Sequence, residues 1–199
     1  MRLGLFGGTF DPPHLGHIAL ATAACEQLDL ERVLWILTGV QPLKLEQHIT
    51  SAEHRLKMLA LALNDHPQFV ISPIELERPG PHYSVDTVRL LAERYPQDDL
   101  IFLMGGDSLR DLPRWRSPAE LVAACAEIGV MRRPDDAVDL AALAAQIPGL
   151  TDKIRFINAP LLDVSASEIR RRIAAGEDVR HLVSPPVYNY IQQHNLYRP

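Results

Sequence analysis

Gly7-Gly8-Thr9-Phe10-Asp11-Pro12-Pro13-His14-Leu15-Gly16-His17 is the stretch that decides how this chain is read. It directly follows an apolar run, Leu3 to Phe6. It directly precedes Ile18-Ala19-Leu20-Ala21-Thr22-Ala23-Ala24, a good helix former. One short segment thus carries a strand, a glycine turn and a helix start. Such a unit aims backbone N–H groups and the positive helix end at the turn, which favours a phosphate there. Glycine permits positive φ and close approach of a ligand to the backbone. His14 and His17 are three apart, so a helix beginning near Pro13 puts both on one face of its first turn. Two imidazoles beside a helix N-terminus form a phosphate clamp. A zinc site fits less well, because helical zinc pairs are spaced i, i+4 and no third ligand stands nearby. Histidines that only cap and pack are a second alternative, disfavoured by the glycine turn and the strand before it.

Outward from this unit, strand-like runs alternate with helical patterns. Leu3–Phe6, Arg32–Leu37, Phe69–Ser72, Leu100–Met104, Glu127–Met131 and Ile154–Ile157 read as short buried strands. Helical periodicity covers Leu15–Leu28, Ala52–Asn64, Val85–Arg94, Pro118–Ala124, Leu140–Gln146, Ala166–Ala175 and Pro186–Gln193. Ser51, Ser84 and Ser117 are expected N-caps, the last with proline at the first helical position, and Gly176 is an expected helix stop. This alternation implies an α/β fold with a parallel, doubly wound sheet and ligands at the carboxyl ends of its strands. The first turn lacks G-x-G-x-x-G, and no P-loop motif occurs.

With 199 residues the chain reads most simply as one domain. A formal charge of −5 argues against non-specific nucleic-acid binding, so anionic substrates must be held by local positive clusters. Cys25 and Cys125, far apart in Ala-rich stretches, are expected as two buried free thiols in a reducing compartment. No signal-peptide pattern opens the chain and no apolar run reaches membrane-spanning length, which gives an expected cytoplasmic protein with no membrane partner. Oligomeric state leaves no mark.

Three further stretches carry chemistry. In Leu103-Met104-Gly105-Gly106-Asp107-Ser108 a second strand–glycine turn offers Asp107 to a ribose hydroxyl or a magnesium-bound water, or else as a helix N-cap. Trp115 between Arg114 and Arg116 can stack on a planar ring while the guanidinium groups face anions, or lie partly buried under its loop. In Asp163-Val164-Ser165-Ala166-Ser167-Glu168-Ile169-Arg170-Arg171-Arg172, serines at a helix start and an arginine one turn in suit phosphate. By composition alone, serine caps and a solvated arginine face explain that run better.

Gly8-Thr9-Phe10-Asp11-Pro-Pro-His14-x-Gly16-His17 resembles the signature of nucleotidyltransferases with a histidine-x-glycine-histidine motif. The other stretches narrow the resemblance to the bacterial nicotinate mononucleotide adenylyltransferases, nearly end to end. It implies a Rossmann-like fold, a single domain over residues 1–199 with a helical subregion from about 165 to 199. ATP would be held by Gly8, Thr9, Phe10, Gly16, His17, Gly105, Asp107, Ser165, Ser167 and Arg170. Ser167 stands for the usual threonine and keeps its hydroxyl. Tyr83, Ser84, Trp115 and Arg116 would hold the mononucleotide, with His82 replacing a family serine. Lys44, in Gln41-Pro42-Leu43-Lys44, matches a segment that closes on the triphosphate, although Leu43 replaces the family histidine. Val187-Tyr188-x-Tyr190-Ile191 and Asn195-Leu196-Tyr197 match as packing.

The implied reaction moves AMP from ATP to nicotinate mononucleotide, giving deamido-NAD and pyrophosphate, with Mg²⁺ on the ATP phosphates. The acceptor's phosphate is itself the nucleophile, so catalysis reduces to alignment and charge stabilisation by His14, His17, Lys44 and Arg170. Rivals are a related transferase specific for nicotinamide mononucleotide or phosphopantetheine, and a nucleotide-binding regulator that has lost catalysis. A class I aminoacyl-tRNA synthetase also carries such a motif, but this chain is short, acidic and lacks a Lys-Met-Ser-Lys-Ser loop.

Overall fold

In the computed structural model, residues 1–39, 49–131, 138–159, 162 and 164–198 are described. Six parallel strands form one sheet in the order β3-β2-β1-β4-β5-β6: β1 Arg2–Gly8, β2 Arg32–Leu37, β3 Phe69–Ser72, β4 Asp99–Gly105, β5 Glu127–Met131 and β6 Ile154–Ile157. The helices are α1 Leu15–Gln27, α2 Ala52–Leu63, α3 Ser84–Arg94, α4 Gly106–Asp111, α5 Pro118–Ala124, α6 Leu140–Gln146, α7 Leu150–Lys153, α8 Ala166–Ala174 and α9 Pro185–Gln193.

The period-two alternation of the strands explains why both faces are covered. Leu3, Leu5, Leu34, Ile36, Leu100, Phe102 and Met104 point into one core with Val85, Val88 and Leu91 of α3 and Leu121 and Val122 of α5. Phe6, Val33, Trp35, Leu37, Ile101 and Leu103 point into the other, against Leu20, Ala21 and Ala24 of α1 and Leu59 and Leu63 of α2. A fully buried side chain of this kind contributes about 1.5–3 kcal/mol. A third cluster joins Met58 of α2 to Ile169 and Ile173 of α8 and Val187 and Ile191 of α9. This is the expected helical C-terminal portion, and α9 rests against α2.

The strand order reverses between β1 and β4. In open α/β sheets ligands sit at that crevice, outside the carboxyl ends of the strands. Gly7 and Gly8 end β1 there, and Gly105 ends β4. No helix of the described residues is long and apolar enough to cross a membrane.

The strands match the sequence expectation within one or two residues. Two caps differ. Ser84 is the first residue of α3 and Tyr83 its N-cap, without a side-chain cap bond. Ser117 does precede Pro118, but with φ 46° its side chain makes no cap bond. Ser51 caps α2 as expected, accepting from His54 N (3.4 Å), and Gly176 stops α8 with φ 74°. Cys25 and Cys125 are free, with Cys25 only half-buried, while burial pushes the Cys125 thiol up to about 12.

Candidate active site

A cleft of about 610 Å³ opens at the strand-order reversal, a size suited to a small-molecule ligand. Gly8, Thr9, Phe10, His14, Gly16, His17, Tyr83, Ser84, Gly105, Trp115, Arg116, Ser165, Ser167 and Arg170 all line it. Residues far apart in sequence thus converge on one cleft. Asp107 does not line the cleft: its side chain is exposed and pairs with Arg110 (3.3 Å) one turn on. It is the second residue of α4, whose N-cap is Gly105, so the N-cap role does not hold. Lys44 and Leu43 lie outside the described residues, as does Asp163.

The first turn is built differently from the expectation. Its left-handed residue is Phe10 (φ 48°) rather than a glycine. Gly8 is required because a Cβ there would stand 2.8 Å from the Phe10 ring, and at Gly16 one would strike Val164 at 2.8 Å. Phe10 is buried against Phe6 and Trp35, which fixes the turn to the core. Not every N–H of the helix start is open to a ligand. That of Leu15 donates to Leu182 O (2.9 Å), and that of His17 to His14 O (2.9 Å).

His14 is the N-cap of α1 and is buried; its ring stacks on His17, with centroids 3.5 Å apart. The His14 N–H donates to His17 Nδ1 (3.1 Å). An Nδ1 that accepts leaves Nε2 as the N–H of a neutral imidazole. Burial, together with the His14 ring, pushes the His17 pKa well below 6.5. His17 is therefore a neutral donor at pH 7, one preset hydrogen bond rather than a positive charge.

Positive charge comes from elsewhere. Arg170 lines the cleft and donates Nη1–H to Asp11 O (2.7 Å), tying α8 to the first turn. Arg171 and Arg172 point away and pair with Glu168 and Glu177; the two arginines hold the Glu168 carboxyl at about 2. The composition-based reading of a solvated face is right for these two and wrong for Arg170. Ser165 caps α8 by accepting from Glu168 N (3.2 Å), and its hydroxyl lies 3.0 Å from that of Ser167.

Trp115, also in the lining, is half-buried and meets Phe102 edge to face (centroids 6.1 Å, 78°). One part packs on the core, as the burial alternative expects, and another lines the cleft. Arg116 lies 4.7 Å over the Tyr83 ring, a cation–π contact that joins the two loops. The ladder of α3 begins with the N–H groups of Asp86 and Thr87, which go to Tyr83 O, so that of Ser84 at the cleft edge falls outside it.

Sequence reasoning missed a buried polar scaffold behind the first turn. Asp11 accepts from Thr50 N (3.1 Å) and from the Tyr197 hydroxyl (2.6 Å). Arg55 is buried and donates to Thr50 O, Thr9 O and Thr38 O, all at 2.9 Å, clasping the turns after β1 and β2. The signal for Arg55 was present: it shares the apolar face of α2 with Met58 and Leu59, where a charge demands partners. Tyr197 is more than packing, and only an appreciation of Asp11 as buried could have revealed it.

Residues 5–172 match the cytidylyltransferase-like family model. A protein of Thermomicrobium roseum named "Probable nicotinate-nucleotide adenylyltransferase" is 46% identical over 197 residues, 99% of this chain and 92% of that one. One of the same name from Roseiflexus is 43% identical, covering 98% of both. Among solved structures, the Plasmodium falciparum nicotinic acid mononucleotide adenylyltransferase complexed with NaAD superposes with a TM-score of 0.80 at 20% identity, covering 98% and 97%. The same enzyme complexed with APC gives 0.75 at 21% identity, covering 98% and 96%. These two carry the fold alone, a Rossmann-like sheet. With relatives this similar along its whole length, the chain belongs to the nicotinate-nucleotide adenylyltransferase family.

Proposed function

We propose that this cleft transfers the adenylyl group of ATP to nicotinate mononucleotide, giving nicotinate adenine dinucleotide and pyrophosphate. The observation that carries the reading is the convergence of His14, His17, Ser167 and Arg170 with Ser84, Trp115 and Arg116 on one cleft. An oxygen of the mononucleotide phosphate attacks the α-phosphorus of ATP, and the bond from that phosphorus to the bridging oxygen of the pyrophosphate breaks. The electron pair leaves with pyrophosphate. The attacking oxygen is already ionised, so no protein base is needed. His17 Nε2–H and the N-terminus of α8 stabilise charge on the phosphates, and the Arg170 guanidinium adds the cation. Trp115 stacks on the pyridine ring, and the Ser84 N–H with Arg116 faces its carboxylate.

Both oxygens of Asp11, the carboxylate of the histidine turn, are taken by Thr50 and Tyr197. That donor set suits a Mg²⁺ held by the triphosphate oxygens rather than by side chains; when bound there it neutralises charge on the departing pyrophosphate. The whole chain acts as one nucleotidyltransferase domain. Two free cysteines fit a reducing compartment, the cytoplasm. The test is incubation with ATP, Mg²⁺ and nicotinate mononucleotide. Dinucleotide, identified by mass, and pyrophosphate should appear in equal amounts; a folded protein yielding neither overturns the reading.

A further inference from the structure

Glu75 follows β3 and lines the cleft, yet only 6% of it is exposed. Its Oε1 accepts from Thr87 Oγ (2.7 Å), and that hydroxyl accepts in turn from Arg78 Nη2 (2.8 Å). Its Oε2 is sealed from solvent and has no hydrogen-bond partner among the described residues. A buried carboxylate oxygen without a donor is costly, and folded proteins keep such groups where a ligand or water completes them. Among the described residues, the other carboxylate lining the cleft, Asp11, has both oxygens satisfied by Thr50 and Tyr197. Thr87 lies one turn into α3 from Ser84, and its hydroxyl is 3.3 Å from Tyr83 O, so Glu75 stands behind the acceptor end of the cleft.

We propose that Glu75 Oε2 accepts a hydrogen bond from a ribose hydroxyl of the acceptor mononucleotide and thereby selects an intact ribose. This rests on the adenylyl-transfer reading above. The choice of group follows from the acceptor's chemistry. At neutral pH the pyridine carboxylate has no proton to give, the ring nitrogen is fully substituted and the phosphate is ionised. The 2′- and 3′-hydroxyls are the donors that remain, and an acidic side chain is a standard partner for such hydroxyls. Glu75 turned toward the pyridine carboxylate would instead repel it.

The Glu75→Gln variant isolates the orphan oxygen. Its amide carbonyl still accepts from Thr87, while an NH₂ replaces Oε2. Rates of pyrophosphate release are measured with ATP, Mg²⁺ and nicotinate mononucleotide or its 2′-deoxy and 3′-deoxy forms. The wild type should lose roughly 10- to 100-fold in kcat/KM on one deoxy form, the scale of a hydrogen bond to a charged group. Glu75→Gln should raise the KM for the ribonucleotide by a similar factor, leave the KM for ATP unchanged and use the ribo and deoxy acceptors about equally. A wild type indifferent to both deoxy forms overturns the proposal without any variant. So does a variant that discriminates as the wild type does, or one that alters only the choice between nicotinate and nicotinamide. A wild type that turns over a different mononucleotide but not the nicotinate one refutes the underlying reading, and this assignment with it.

Discussion

Replacing His17 by alanine tests the phosphate clamp in its refined form. The ring contributes one N–H, because Nδ1 is committed to the His14 N–H at 3.1 Å and burial keeps the imidazole neutral. Loss of one preorganised donor to a developing anion costs roughly 10²- to 10³-fold in kcat. The variant also removes the acceptor for the His14 N–H, which should cost about 1 kcal/mol of stability, the scale of a lost helix cap. The loss of the ring contacts with Phe6 and Phe10 adds to this, so circular dichroism and a urea melt are the controls. The assay is pyrophosphate release at saturating ATP and acceptor, at pH 7 and pH 8. Because a neutral donor does the work, the loss should be the same at both values. A folded variant with near-wild-type turnover would refute the phosphate role, and a loss confined to the lower pH would refute the neutral state.

The same imidazole links stability to pH. Its folded pKa lies well below 6.5, so the unfolded chain binds more protons below that value. Stability should be full above pH 6.5 and fall as pH drops toward the lowered pKa, with a shallower slope for His17→Ala in urea melts. Trp115→Ala should raise the KM for the mononucleotide by the roughly 1–3 kcal/mol of a ring-stacking contact and leave the KM for ATP alone. Arg170→Ala should do the reverse; unfolding of the tryptophan variant would assign Trp115 to the core instead. Tyr197→Phe removes a hydrogen bond to the Asp11 carboxylate and should cost roughly 1.5–3 kcal/mol in urea melts. An unchanged midpoint would show that the tail does not brace the first turn.

The sheet was legible because its strands are buried on both faces and read as apolar runs between capped amphipathic segments. The short elements were not. Gly106–Asp111 and Leu150–Lys153 are too brief for helical periodicity to register, and Gly105-Gly106 reads as a turn. Asp107 therefore stands inside the first turn of a helix rather than at its cap. Site residues carried by a motif, such as His14, His17 and Trp115, were found from their neighbours in sequence. Asp11, Glu75 and Tyr197 were overlooked because their roles arise from partners 12 to 186 positions away, and one chain's pattern holds no sign of such pairing; Arg55 shows in the sequence only as a charge on an apolar helix face, without its partners. The arginine run shows the limit most plainly: three adjacent arginines look equivalent in sequence, and only helix phase separates Arg170 from Arg171 and Arg172.

The most direct test of the central claim compares acceptors. At saturating ATP and Mg²⁺, kcat/KM is measured by pyrophosphate release for nicotinate mononucleotide, nicotinamide mononucleotide and phosphopantetheine. The nicotinate form should be preferred, because its carboxylate gains charge-assisted bonds from the Ser84 N–H and Arg116, whereas a carboxamide there loses a partner. A site with a desolvated polar mismatch of this kind discriminates by up to about 10⁴–10⁵. Equal values for the two pyridine nucleotides, or a preference for either of the other acceptors, would contradict the account.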